Sequence, residues 1–171
     1  MSQRNGNLLN KTSIYILLLL MSGALWLFHV YIIMANWHIL PENVPIHFDL
    51  SGRPDRWGAK KALILLPLIH LGMIGVLGSL TFINAKTFAQ YSSSKSVQSP
   101  IQIHYSRLLL LIILVIVSLL LMDISHESIC LAIKKVNPFK NASFWLLGSL
   151  FATLIFYMWA SKRVKNADDN L

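Results

Sequence analysis

The stretch Leu40–Lys61, LPENVPIHFDLSGRPDRWGAKK, separates two apolar runs that are each long enough to cross a lipid bilayer. It concentrates Pro, Gly, His, Asp, Arg and Trp in a sequence that is otherwise strongly apolar. Pro41 ends the preceding helix, because the residue before a proline is pushed out of the α region. The stretch therefore predicts a compact polar loop between two membrane-spanning helices.

The composition indicates that lipid is part of the solvent. Of the 171 residues, 55% are hydrophobic and only 13% are charged, against roughly 25% charged in soluble globular domains. The net charge of +8 comes from Lys and Arg at the ends of the apolar runs, where they favour lipid headgroups rather than nucleic acid. The single cysteine, Cys130, excludes an internal disulfide.

The hydrophobic pattern predicts an all-α integral membrane protein with four transmembrane helices. The compact loop outside the membrane between the first two helices is expected to contain a short strand. The first run is longer than the apolar core of a signal peptide and is interpreted as an uncleaved span. The four spans are expected at about 13–37, 62–83, 104–123 and 143–161.

The second half of the chain is expected to begin with a linker. Residues 84–107 include a serine-rich run and predict a polar linker between the second and third spans. Asp123 is interpreted as the end of the third span. The alternation of Ile129, Leu131 and Ile133 fits either a strand or a continuation of that helix. A basic tail follows the fourth span.

Lys and Arg near span ends give only a slight indication of orientation. Four spans place both termini on one side. The termini side would carry the eight residues Arg4, Lys11, Lys86, Lys95, Arg107, Lys162, Arg163 and Lys165. The other side would carry the seven residues Arg53, Arg56, Lys60, Lys61, Lys134, Lys135 and Lys140. Because 84–107 contains no acid, we expect the termini in the cytoplasm, the loop outside, and the chain in the cell membrane.

Within the loop, Val44, Ile46, Phe48 and Leu50 alternate with polar residues and predict a short strand. His47 and Asp49 would then share the opposite face, roughly 6–7 Å apart. Turn residues follow at Ser51-Gly52. Asp55 is expected to cap the short segment Arg56–Gly58, and Trp57, Lys60 and Lys61 are expected to form an interfacial belt.

The loop also resembles a known family. The residues that carry the resemblance are Leu40, Pro41, Pro45, His47, Phe48, Gly52, Pro54, Asp55, Trp57 and Lys60. This pattern resembles a bacterial membrane domain of unknown function that forms the N-terminal part of SdpI-type bacteriocin immunity proteins. The resemblance covers the loop and its flanking spans and implies a domain over 1–83 of a bacterial integral membrane protein. The hydrophobic pattern adds the linker 84–107 and a region 108–171 with two further spans.

Three roles remain open for the polar loop residues. His47, Asp49 and Asp55, with His38 and Glu42 nearby, have side chains that suit a metal such as zinc, but no recognised ligand spacing is present. Alternatively, His47 and Asp55 hydrogen-bond the turns and hold the loop in shape. In the third interpretation, the loop residues of the motif form a ligand-binding surface.

Polar residues inside the spans form a second candidate site. Ser22, His29 and Asn36 recur every seven residues and therefore line one stripe of the first helix. His70 lies at a similar depth in the second span. Because ionisable residues at such depth face the bundle interior, we expect His29 and His70 to approach each other beneath the loop, as a proton-coupled pair or as two neutral, hydrogen-bonded rings.

The sequence predicts a non-enzymatic protein without a cofactor, since it contains no recognised nucleophile motif or phosphate loop. The first hypothesis is envelope protection or immunity against a membrane-active peptide, with the lipid bilayer and a peptide toxin or another membrane protein as partners. The alternatives are a small transporter or transporter subunit using His29, Asn36 and His70, and a metal-dependent membrane enzyme using His47, Asp49 and Asp55.

Overall fold

The computed structural model describes residues 2–49, 51–83, 100–137 and 141–168. Most of the predicted linker, 84–99, lies outside these residues, as do Leu50 and the last residues of the basic tail. Residues 100–103, predicted only as linker, are helical instead, and residues 104–107, where the linker and the third span were expected to overlap, belong to the helix. A helix can begin at Pro100 because the first helical residue needs no backbone donor.

Four long helices account for most of the described chain. They are α1 (Ser2–Asn36), α2 (Leu65–Phe82), α3 (Pro100–Ala132) and α4 (Ala142–Asp168), and a 3-10 helix, Lys60–Ile64, precedes α2. Each of the four long helices, α2 together with the 3-10 helix before it, provides a segment long and apolar enough to cross a membrane, with mean hydropathy between 1.5 and 3.0. The mostly helical fold with four such helices is confirmed, while insertion into a membrane remains a prediction.

The third helix extends well beyond Asp123, where the third span was predicted to end. Asp123 is buried and accepts a hydrogen bond from the Ser143 hydroxyl of α4, with 2.5 Å between the oxygens. The Ser143 hydroxyl gives this buried side chain a partner inside the bundle, and α3 continues past it to Ala132. Of the alternating residues, Ile129 and Leu131 lie in the helix and Ile133 lies in the turn after it, so the helix alternative is confirmed and the strand alternative is wrong.

Helix α3 is the centre of the bundle and packs against α1, α2 and α4. Helices α1 and α3 run parallel, because Ser22 meets Ser118 and His29 meets Ser125 at the same sequence offset. An apolar cluster beside the loop contains Ile33, Leu40, Val44, Leu63 and Ile129. A second cluster, around Tyr15, Leu111 and Leu114, lies towards the other end of the bundle.

Candidate functional site

The loop between α1 and α2 is a β-hairpin. Strand β1 (Asn43–Phe48) pairs antiparallel with β2 (Pro54–Ala59), with irregularities near His47. The predicted strand is thus present, but its partner was not predicted. The segment Arg56–Gly58, expected to follow a cap at Asp55, is part of β2 instead. Its pairing depends on the turn that brings it to β1, which a local pattern does not show.

Asp49 holds the turn of the hairpin together. Its carboxylate accepts hydrogen bonds from the backbone N–H groups of Ser51 and Arg53, at 2.8 and 2.9 Å, and from Nε of Arg53 at 3.1 Å. Gly52 has φ of 71°, a conformation that favours glycine. The prediction of turn residues here is confirmed, and Asp49 has a structural partner set of its own.

This turn is expected to depend on pH. The backbone N–H of Arg53 lowers the pKa of Asp49, with smaller contributions from the Ser51 N–H and the Arg53 side chain, and these outweigh desolvation. The ionised carboxylate stabilises the turn above the ordinary Asp pKa, and this stabilisation is lost as the pH falls through the lowered pKa. In NMR titrations, the Ser51 and Arg53 amide signals should move together at that lower pH. They should stay still in Asp49→Asn, and a midpoint above the ordinary Asp pKa would contradict the assignment.

His47 and Asp55 form a cross-strand pair, with 2.5 Å between Nδ1 and Oδ1. Asp49 bonds to the turn instead of joining His47. Among the described residues, no group of three His, Cys, Asp or Glu side chains lies close enough to hold a metal. The predicted metal set of His47, Asp49 and Asp55 therefore does not converge, and the geometry matches the alternative in which His47 and Asp55 hold the loop in shape.

Several motif residues fasten the hairpin to the helices. Lys60 pairs with Glu42 at 3.0 Å and lies 5.4 Å from the centre of the Trp37 ring. The carbonyl oxygen of Pro45 accepts a hydrogen bond from Ser128 of α3, at 2.5 Å. Trp57 is half exposed on β2. These contacts fix the position of the hairpin over the end of the bundle.

A cleft of about 420 Å³ opens beneath the hairpin. Its walls come from the hairpin, the start of α2, the end of α3 and the start of α4. The lining residues are Ile46, His47, Phe48, Asp49, Ser51, Gly52, Leu66, Ile124, Glu127, Asn141, Ser143, Phe144 and Leu147. The cleft thus has an apolar floor between the helices and polar groups at the hairpin and at the start of α4. Sequence reasoning placed motif residues here but missed the contributions of α3 and α4.

A buried chain of polar side chains joins α1, α2 and α3. Nδ1 of His29 lies 3.5 Å from Nδ1 of His70, which confirms the predicted approach. Nε2 of His29 lies 2.7 Å from Oγ of Ser125, and Nε2 of His70 lies 2.7 Å from Oγ of Ser118. Ser118 also meets Ser22 at 3.3 Å, and all five residues are at most 1% exposed.

Two details of this row of hydrogen-bonded side chains differ from the prediction. Asn36 does not join it, because its side-chain amide donates to the carbonyl oxygen of Ile32 in its own helix. Ser118 and Ser125 were not predicted. They are spaced by seven residues, as Ser22 and His29 are, and this shared spacing is the signal that could have identified them.

The polar chain is enclosed by apolar layers. The cluster around Ile33 and Ile129 lies on its loop side, and Leu111 and Leu114, both fully buried, lie on its other side. Tyr15 and His104 form a separate hydrogen-bonded pair beyond Leu111. The five side chains of His29, His70, Ser22, Ser118 and Ser125 therefore form an isolated layer, called the polar layer below.

The fold and site define a chain with four apolar helices, a hairpin cap and an internal polar layer. Residues 14–71 match a protein family described as "Domain of unknown function (DUF1648)". The matched segment contains most of α1, the hairpin and the start of α2, and therefore includes His29, His47, Asp55 and His70.

A relative from Archaeoglobus fulgidus, described as an uncharacterized protein, is 40% identical over 45 residues. The aligned segment makes up 26% of this chain and 22% of the relative, so the chain spans about a fifth of the relative's length. No solved structure matches the chain.

Proposed function

We propose that the chain is a multi-pass membrane protein of the cell envelope that recognises a membrane-active peptide through the cleft beneath its hairpin. The observation that carries this proposal is the cleft itself, with its apolar floor and polar rim. Ligand sites are typically concave and mostly apolar, with a few placed polar groups. An amphipathic peptide matches this distribution, because it presents apolar side chains along one face and polar groups along the other.

The position of the cleft supports the same proposal. Trp37, Trp57 and Lys60 are residue types typical of a membrane interface; Trp57 and Lys60 belong to the loop, and Trp37 lies just before it. A peptide lying at that interface would reach the hairpin before the helices. The resemblance of the loop to SdpI-type immunity proteins gives the proposal its biological setting, namely protection of the envelope. In this proposal the termini are cytoplasmic and the hairpin is extracytoplasmic.

The transporter alternative receives less support from the geometry. A transporter needs a polar path between the helices, whereas Leu111 and Leu114 close the histidine layer on one side and Ile33 and Ile129 close it on the other. The metal-dependent enzyme is not supported either, because His47, Asp49 and Asp55 do not converge.

The proposal predicts a phenotype for loss of the protein. Deletion of the gene should sensitise cells to at least one member of a panel of membrane-active peptides. Complementation with Trp57→Ala should behave like the deletion, because Trp57 holds the exposed strand at the interface. Complementation with Trp159→Ala, a half-exposed tryptophan of α4 far along the chain, is the matched control and should restore resistance. Unchanged sensitivity of the deletion strain across the panel would overturn the proposal.

A further inference from the structure

The hydrogen-bond directions in the buried polar layer can be deduced from its donors and acceptors. The Ser118 hydroxyl donates its hydrogen to the Leu114 carbonyl oxygen, at 2.7 Å. Because a hydroxyl has one hydrogen, Ser118 must accept from Nε2–H of His70. In a neutral ring, Nδ1 of His70 is then a bare acceptor.

The second ring must therefore be the opposite tautomer. Nδ1–H of His29 donates to Nδ1 of His70, which leaves Nε2 of His29 bare. Ser125 supplies the missing donor, because its hydroxyl lies 2.7 Å from that nitrogen. In the neutral state, each hydrogen bond is therefore donated in the same direction, from Ser125 to His29, from His29 to His70 and from His70 to Ser118.

We infer that the His29–His70 pair is a binding site for one excess proton. When local opening of the apolar layer lets a proton reach Ser125, that hydroxyl passes its own hydrogen to Nε2 of His29. His29 then passes its Nδ1 hydrogen to Nδ1 of His70, which becomes the imidazolium. One proton enters, one positive charge is gained, and no other bond breaks. The central hydrogen bond is reversed, now running from His70 to His29.

Both ends of the layer can accept this reversal. Each Nε2–H now donates to a serine hydroxyl, and the Ser125 hydrogen turns towards the carbonyl oxygen of Leu121, as Ser118 already does with Leu114. Hydrogen bonds with an ionised partner are shorter and stronger than neutral ones. The neutral Nδ1–Nδ1 separation of 3.5 Å leaves room for this shortening, so proton binding draws α1 and α2 together.

The site holds one proton and not two. A second proton would place an N–H on each of the facing Nδ1 atoms and two positive charges between apolar layers. In the described part of the chain, the hydrogen-bond partners of the two rings are each other, Ser118 and Ser125, and none of these is an acid. The segments Thr12–Asn36 and Leu65–Phe82 contain no Asp, Glu, Lys or Arg.

The ionisable side chains of α3 make their contacts away from His29 and His70. Asp123 bonds to Ser143, Glu127 lines the cleft, and Arg107 donates to the Ile83 carbonyl oxygen. His126 lies beside Cys130, and His104 is paired with Tyr15 beyond Leu111. Helix α4 packs on α3, and its Lys162 and Arg163 lie at its far end.

The test is ¹⁵N NMR of histidine-labelled protein in detergent micelles, titrated from about pH 8 to about pH 4, which brackets ordinary histidine titration. Signals are assigned with single His→Gln variants. At high pH we expect His29 as the Nδ1–H tautomer and His70 as the Nε2–H tautomer. On acidification the pair should take up one proton, with both Nε2 atoms protonated.

Ser125→Ala provides the matched control. It removes the hydroxyl that must accept from His29 in the proton-loaded state, so uptake should move to lower pH while His70 keeps its tautomer. Two protons taken up by the folded wild type would overturn the inference. So would no uptake over the range, or identical tautomers at high pH.

Discussion

Replacing either His29 or His70 with leucine is expected to destabilise the protein by about 1–3 kcal/mol, the cost of leaving a buried polar partner unsatisfied. His70→Leu removes the acceptor of the His29 N–H, and His29→Leu removes the donor to His70. The double variant His29→Leu/His70→Leu should lose less stability than the sum of the two single losses, because it leaves neither the His29 donor nor the His70 acceptor without a partner. The expected coupling is about 0.6–1.7 kcal/mol, as for polar contacts between helices in membranes.

The measurement is reversible unfolding of the purified protein in mixed micelles, carried through a double-mutant cycle. The control is the same cycle with Ser149→Ala and His70→Leu, since the Ser149 hydroxyl on α4 bonds to the Leu146 carbonyl oxygen of its own helix and shares no partner with His70. A much smaller coupling is expected there. Strict additivity of His29→Leu and His70→Leu would show that the two rings do not interact.

The polar stripe of α1 was predictable because histidine is rare in an apolar run and its spacing to Ser22 repeats every seven residues. The matching serines of α3 carry no such mark. A serine hydroxyl in an apolar helix can bond to a carbonyl of its own helix, as Ser118 does with Leu114, so its presence does not predict a partner. The approach of His29 and His70 was therefore predicted, but their hydrogen bonds to Ser118 and Ser125 were not.

The hairpin shows a similar limit. Strand β1 alternates apolar and polar residues and was predicted from that pattern. Strand β2 begins with a proline and contains Gly58, both poor strand formers, so local propensity opposes it. Its pairing comes from the turn at Asp49 and Gly52, and a proline at its first residue is tolerated in a two-stranded sheet.

The end of α3 was misplaced for a tertiary reason. A charged residue after a long apolar run indicates the end of a span, and Asp123 fits that pattern. The pattern cannot show that Ser143, on the next helix, supplies a hydrogen-bond donor. The same contact brings α4 against α3 and so forms one wall of the cleft, which no single segment predicts.

Filling the cleft is expected to remove the protective function while leaving the fold intact. Leu147 of α4 lines the cleft and is exposed over 43% of its surface. In Leu147→Trp the indole ring occupies space that the proposal assigns to apolar side chains of the peptide. Excluding one such side chain costs about 1.5–3 kcal/mol of binding, which corresponds to about 10-fold to 150-fold weaker binding.

The matched control is Ile155→Trp on the same helix. Ile155 is exposed over 67% of its surface and does not line the cleft. The substitution adds the same ring to an apolar face that a bilayer would cover, so we expect little effect on stability or function. Equal amounts of both variants in the membrane fraction would show that they fold and insert alike.

The most direct test of the proposed recognition is survival of the deletion strain, complemented with each variant, in the presence of a peptide to which deletion sensitises it. The wild type and Ile155→Trp should restore resistance. When Leu147→Trp is present in the membrane in the same amount, the cells should be at least about tenfold more sensitive to the peptide than cells with the wild type, in line with the predicted loss of binding. Full resistance with Leu147→Trp would contradict recognition in the cleft.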